Sequence, residues 1–399
     1  MARGRHVSPG ALAGLRVLDL SQVLAGPFCT QLLADHGAEV IKIEPPEGDP
    51  ARRFAPFRAD DHERAFGGYF QSINRGKKSV VLDLKAPSGR AALLKLVASA
   101  DVLVENYRAG VMERLGLGFE VLAQINPRLV YGAIRGFGDP RSGESPYNDW
   151  PAFDVVAQAM GGIMGITGPA ADVPLKIGPG VGDTVPALML AFGILAAVRH
   201  AERSGQGQFL DISMIDGVLA LCERLVHQYS YTGAVAGPEG NGHPLLCPFG
   251  LFRAADGWVA VGCPTDKFWV ELAQAIGRPE LATDPAYATN AARLERRADV
   301  TAVVEGFTRS RSKAQIKAIF GGRVPFGPVQ DAAEIFNDPH FAARGMLVEV
   351  EQPGSARPVT IAGVPVHLSA TPGAVRGRSP RLGEHTAQVL AALEADSPL

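Results

Sequence analysis

From Leu15 to Phe137 the chain alternates short β-branched and aliphatic runs with stretches of helical periodicity, and this alternation restricts the fold more than any other feature. LRVLDL (15–20), AEVIKIE (38–44), Ser79 to Leu84, DVLVEN (101–106) and RLVYGAIRGF (128–137) read as strands; residues 27–36, 87–98 and a helix pair ending near Gln124 read as the helices between them. A strand, a crossover helix and a second strand make the βαβ unit, which buries its strands on both faces. The pattern predicts an α/β fold built on an open, Rossmann-like parallel sheet with right-handed crossovers.

Beyond Phe137 a loop rich in Gly, Pro, Ser and Asp (136–151) leads into AFDVVAQAMGGIMGITG, a second glycine loop, and the most apolar helix of the chain, Thr184 to about His200. Its core, ALMLAFGILAAV, is shorter than the roughly 20 residues of a membrane span and reads as a buried helix. From Thr232 to Pro248 the composition shifts to Gly, Pro, Asn and His, a linker, after which a hairpin and helix begin a new α+β unit. The expected organisation is a large domain over residues 1–225, a smaller α+β domain over 226–335, and a return to the large domain over 336–399. No solenoid-length repeat is visible.

The net charge of −2, with Lys and Arg scattered, argues against nucleic acid and anionic membranes as partners. The N-terminal MARGRHVSPG runs into the first strand without an apolar signal region, so the chain is expected to keep this segment and to reside in the cytoplasm. Cys29, Cys222, Cys247 and Cys263 form no CxxC pair and have no His at zinc spacing, so neither a disulfide framework nor a metal site is expected.

Phosphate-loop lookalikes fail on detail. In NRGKKSV, Gln71 stands where a P-loop needs its first glycine and Lys78 where it needs Ser or Thr, and GPGVGD lies beyond the first βαβ unit. HExxH and GxSxG are missing. Asp183 precedes an apolar helix with Pro186 in its first turn, and by residue type alone it reads as a helix N-cap; a helix N-terminus would also keep its carboxylate ionised. His243, inside GNGHPLLCPFG, reads as a turn residue. Lys77, Lys78, Lys85, Arg108, Arg114 and Arg135 punctuate the ends of the expected strands, where an open parallel sheet binds its ligand.

Together RVLDLSQVLAGPFCTQLLADHGAEVIKIEPPEGD, NRGKKSVVLDLK, ADVLVENYRAGVMERLGL, NPRLVYGAIRGFG, FDVVAQAMGG and RLGEHTAQVL resemble the class III CoA-transferases, the CaiB/BaiF family that includes formyl-CoA transferase, from about Leu12 to Leu393. VPFGPVQD and NGHPLLCPFGLF look most similar to the branch that moves CoA between dicarboxylic acids such as succinate and glutarate. The resemblance implies an interlocked homodimer acting on an acyl-CoA and a small carboxylic acid, with coenzyme A as substrate and no permanently bound cofactor. It implies Asp183 as the nucleophile, Asp154 beside the reacting centre, and Val23, Leu82, Lys85, Asn106, Tyr107, Arg114 and Arg135 along the CoA site. On chemical grounds, the glycine-rich loops GNGHP, with Gly242 and His243, and GPGVG read as sources of backbone N–H donors for a developing oxyanion. Leu24 stands where formyl-CoA transferase has a glutamine, and the Gly242 loop is shorter than in that enzyme; both departures point away from oxalate and formate. Two other readings stand beside this one: an α-methylacyl-CoA racemase, whose histidine is replaced here by Phe153, and a non-catalytic CoA-binding subunit.

Overall fold

The computed structural model of the protein describes residues 9–170 and 172–395, so most of the N-terminal MARGRHVSPG lies outside the described residues. The chain divides into two compact units. The larger runs up to Ile163, resumes over Lys176–Gly233 and resumes again from Pro339; the smaller comprises Met164–Leu175 and Ala234–Asp338.

The larger unit holds strands β1 (Arg16–Asp19), β2 (Glu39–Glu44), β3 (Lys78–Val81), β4 (Val102–Glu105), β5 (Val130–Arg135) and β6 (Phe209–Ser213). Its helices include α1 (Ala25–Asp35), α2 (Gly68–Ile73), α3 (Pro87–Val97), α4 (Val111–Arg114), α5 (Phe119–Ile125), α6 (Asp154–Met160), α7 (Val181–Ser204), α8 (Met214–Leu221) and α9 (Glu223–Thr232). The strands pair in the order β3-β2-β1-β4-β5-β6, all parallel. The chain winds outward from β1 to β3 and then returns to the other side of β1, which makes the carboxyl ends of β1 and β4 a topological switch point, where such sheets open a ligand crevice. Val17, Leu18, Val102, Leu103 and Val104 are fully buried, as strands covered on both faces must be.

Helix α7 lies against β5. A Cβ at Gly132 would stand 3.2 Å from Leu190, so the glycine permits this close approach. Ala187, Leu190, Ala191, Ile194, Ala197 and Ala201 are buried at helical spacing. The expectation of a buried helix holds for that side only: Leu188 and Phe192, on the other, are 51% and 77% exposed. By length and composition α7 would suffice to cross a membrane, but its inner face is occupied by the sheet.

In the smaller unit β7 (Phe249–Ala254), β8 (Gly257–Gly262) and β9 (Phe326–Pro328) form an antiparallel sheet. It packs against helices Asp266–Ala275, Arg297–Thr308 and Lys313–Phe320 around Val259, Trp269, Val300 and Phe320.

Candidate active site

At the switch point the turn from β1 to α1 is built by buried charge. Asp19, at the end of β1, accepts hydrogen bonds from the Ser21 amide (3.0 Å) and hydroxyl and from Thr30 Oγ1 (2.7 Å), and pairs with Lys77 Nζ at 2.9 Å. Burial opposes its charge, but the ammonium groups of Lys77 and Lys42 hold its carboxyl well below the usual range. Lys42 Nζ donates to the Ser21 carbonyl at 2.8 Å and pairs with Asp49 at 3.0 Å. Asn106, just past β4, exchanges two 2.8 Å hydrogen bonds with the backbone of Gln22. Val23 between them has φ of 66°, a left-handed conformation that costs a β-branched residue energy, and its N–H donates to Asp49 Oδ1 at 3.2 Å.

This turn forms one wall of a cavity of about 500 Å³. Val23, Asn106, Tyr107, Arg135 and Asp183 line it together, with Arg108 and Phe153. Arg135 contributes shape more than free charge. Its guanidinium is buried between Glu105 (2.6 Å) and Asp139 and reaches the Tyr107 carbonyl at 3.3 Å. Glu105 is nonetheless pushed up to about 7, because burial outweighs that cation. Leu82 belongs instead to the apolar core, and Lys85 and Arg114 are exposed outside the cavity wall; the Arg114 guanidinium lies over Gly110. Gly242 and His243 lie in the smaller unit and line a separate cavity of about 400 Å³. There the Gly242 N–H donates to the Glu239 carbonyl at 3.1 Å, His243 Nδ1 accepts from the Leu245 N–H at 3.1 Å, and the His243 ring stands edge-on to Phe249. Among the described residues no three His, Cys, Asp or Glu side chains converge as metal ligands.

Asp183 is not the N-cap that its residue type suggests. Gly180 occupies that position, Asp183 sits in the first turn of α7, and its N–H donates to the Gly180 carbonyl at 3.1 Å. The capping acceptor comes from another helix: Asp154, the first residue of α6, accepts the Gly182 N–H at 2.9 Å. Two residues not among the expected site residues complete the arrangement, Gln158 within the FDVVAQAMGG motif and Lys176 outside any motif. Gln158, one turn after Asp154 and fully buried, donates to both of its oxygens at 2.9 and 3.0 Å, and Lys176 Nζ pairs with Asp154 Oδ2 at 3.3 Å. The i, i+4 spacing of Asp154 and Gln158 was the one sequence signal available for this contact. Asp183, by contrast, has no side-chain hydrogen bond among the described residues. Burial, reinforced by the charge of Asp154, pushes its carboxyl up from the ordinary 3.8 to about 7, against the field of the helix N-terminus.

The fold and site thus define an open doubly wound sheet whose switch-point cavity is walled by one uncommitted carboxylate. The sequence pattern of CoA-transferase family III matches residues 12–386, and the chain belongs to that family. The chain is 49% identical to a succinyl-CoA:mesaconate CoA-transferase of Haloarcula hispanica, with 96% of each chain covered. It is 38% identical to a succinate–glutarate CoA-transferase of Agrobacterium fabrum, again over 96% of each. Among solved structures, a CaiB/BaiF family protein from Brucella suis superposes with a TM-score of 0.86 at 36% identity, covering 96% of this chain and 99% of that one.

Proposed function

We propose that the protein transfers CoA from succinyl-CoA to a small dicarboxylic acid of the mesaconate type, with Asp183 as the covalent carrier. The observation that carries this reading is the Asp183 carboxylate on the wall of the switch-point cavity, bound to no other side chain. The ionised carboxylate attacks the thioester carbonyl, the C–S bond breaks, and CoA leaves as thiolate from a succinyl-aspartyl anhydride. The thiolate then attacks the aspartyl carbonyl, expels succinate and leaves an aspartyl-CoA thioester. The acceptor carboxylate attacks that thioester, forming a second anhydride and freeing the thiolate again. Attack of the thiolate on the acceptor's acyl carbon yields the new acyl-CoA and restores the Asp183 carboxylate. Water entry at either anhydride would waste the thioester, so the intermediates require an enclosed site.

CoA itself is assigned to the cavity lined by Val23, Asn106, Tyr107 and Arg135, with Leu82, Lys85 and Arg114 as outlying candidates. Phe153 lines the cavity without a titratable group, which favours transfer over α-proton racemisation. The working form is assigned as a homodimer with interlocked chains, residing in the cytoplasm; the exposed Leu188 and Phe192 of α7 and Val226 and Tyr229 of α9 supply apolar surface for a second copy to cover. Intact-mass analysis after incubation with succinyl-CoA and hydroxylamine tests the chemistry. Modification at residue 183, absent from Asp183→Ala, is expected, and a wild-type protein that turns over without ever forming it would overturn the reading.

A further inference from the structure

The segment that carries Asp183 is tied to α6 by a small polar network. Gln158 Oε1 accepts the Ile177 N–H at 3.0 Å while its amide nitrogen holds both Asp154 oxygens and lies 3.3 Å from the Pro179 carbonyl. Lys176 Nζ reaches Asp154 and also donates to the Ile177 carbonyl at 2.9 Å. Asp154 in turn holds the Gly182 N–H, one residue before Asp183. Glycine is needed there, because a Cβ at 182 would stand 2.6 Å from the Asp154 carbonyl oxygen and 2.9 Å from Ala157 Cβ. Every residue from 176 to 182 therefore lies within one hydrogen bond, or one link of chain, of a contact to Gln158 or Asp154.

We propose that Gln158 and Lys176 are positioning residues for the nucleophile: acting through Asp154, they fix the backbone that presents Asp183 and offset the negative charge beside it. This rests on Asp183 being the nucleophile. Gln158 supplies only neutral donors and an acceptor, so its contribution is geometric. Lys176 supplies the positive charge nearest to Asp154, and its side chain is 42% exposed, so it can be changed without opening the core.

Arg108 shares the cavity wall with Asp183, and the charges on the elements packed against α7 are already committed or face elsewhere. Asp35 of α1 pairs with Arg75, and Arg135 of β5 pairs with Glu105 and Asp139. Asp211 of β6 accepts the Asp139 N–H, and Asp216 of α8 sits in the first turn of its own helix. Tyr69 of α2 feels the charges of Asp183, Asp49 and Asp154 and is pushed up to about 12, mainly by burial, so it stays neutral through the working range. After burial, Asp154 is therefore the charge that raises Asp183, and Lys176 acts on it through its pair with Asp154.

The test is the pH dependence of kcat/KM for succinyl-CoA in Lys176→Met, Lys176→Arg and Gln158→Leu, alongside the 13C-carboxyl titration of Asp183, assigned by Asp183→Asn. Removing the cation is expected to move the acidic limb and the titration midpoint upward by about half a pH unit, the size of a partly exposed ion pair, with arginine restoring both. Asp154→Asn is expected to move both downward. Gln158→Leu is expected to lower kcat at least tenfold while KM for succinyl-CoA stays within about twofold, since a nucleophile displaced by about 1 Å loses on the order of 100-fold. An unmoved midpoint in Lys176→Met, or a Gln158→Leu loss confined to KM, overturns the proposal. An Asp183→Asn enzyme that still turns over would instead overturn the assignment of the nucleophile, and the titration would still report whether Lys176 controls the charge at that carboxyl.

Discussion

Replacing Asp183 by Asn should stabilise the protein while abolishing its activity. The Asp183 carboxyl titrates near 7 in the folded chain against an ordinary value of 3.8, mainly because of burial and secondarily because of Asp154. A carboxyl that holds its proton more tightly when folded makes folding weaken as pH rises from the unfolded value to the folded one, and the cost is largest above 7. A shift of about three units corresponds to ~4 kcal/mol at ~1.4 kcal/mol per unit. The side chain keeps some contact with water, so about half of this, ~2 kcal/mol, is expected. Asparagine has the same shape and no charge to desolvate. For a chain of 399 residues, unfolding entropy near 2.1 cal/mol/K per residue converts ~2 kcal/mol into a Tm gain of roughly 2–3 °C at pH 8. The gain should shrink toward zero at pH 4, where the folded wild type is protonated. Calorimetric melting of wild type and Asp183→Asn at pH 4, 6 and 8 measures it directly. No gain at pH 8, or an equal gain at pH 4 and pH 8, would refute the electrostatic argument.

Arg135→Met should lower stability by about 3 kcal/mol, read as a drop in urea midpoint, because Glu105 and Asp139 lose the cation between them. Val23→Gly should gain up to ~1 kcal/mol, since it relieves a left-handed valine at a smaller cost in chain entropy; a loss in the same urea measurement would mean the conformation carries no strain. In the proposed homodimer Phe192→Asp should weaken association, read by sedimentation, because a charge placed on that exposed apolar face cannot be buried against a second copy; unchanged association would exclude this face from the interface.

The sheet was legible because period and burial coincide. The runs at 15–20, 38–44 and 101–106 each contain an observed strand, Arg16–Asp19, Glu39–Glu44 and Val102–Glu105, since strands covered on both faces leave unbroken apolar stretches. The order β3-β2-β1-β4-β5-β6 was not legible, because pairing is set by how helices pack on the two faces and not by any one strand. At the site, residue type indicated that Asp183 begins a helix but misplaced it by three positions, as the cap that satisfies the Gly182 N–H comes from Asp154, 28 residues earlier. Lys176 left no trace because an ion pair 22 residues apart has no period. The exposed half of α7 was hidden for the opposite reason: apolar composition marks a face that must be covered, without saying whether the cover lies in the same chain.

The elevated Asp183 carboxyl has a chemical consequence in the proposed reaction. In the succinyl-aspartyl anhydride the CoA thiolate can attack either carbonyl, and the group expelled is the carboxylate of the other. Succinate, with ordinary carboxyls near 4, is a better leaving group than a carboxylate whose conjugate acid titrates near 7. Attack at the aspartyl carbonyl, which releases succinate and carries the reaction forward, is therefore favoured over return to succinyl-CoA. The same elevation makes Asp183 the more basic, more nucleophilic carboxylate in the first step, at the cost of leaving only about half of it ionised at pH 7. A free, well-solvated aspartate would be fully ionised but would gain no advantage over the substrate it must displace. Burial beside Asp154 supplies that advantage, and in the proposal above the Lys176–Asp154 pair limits it.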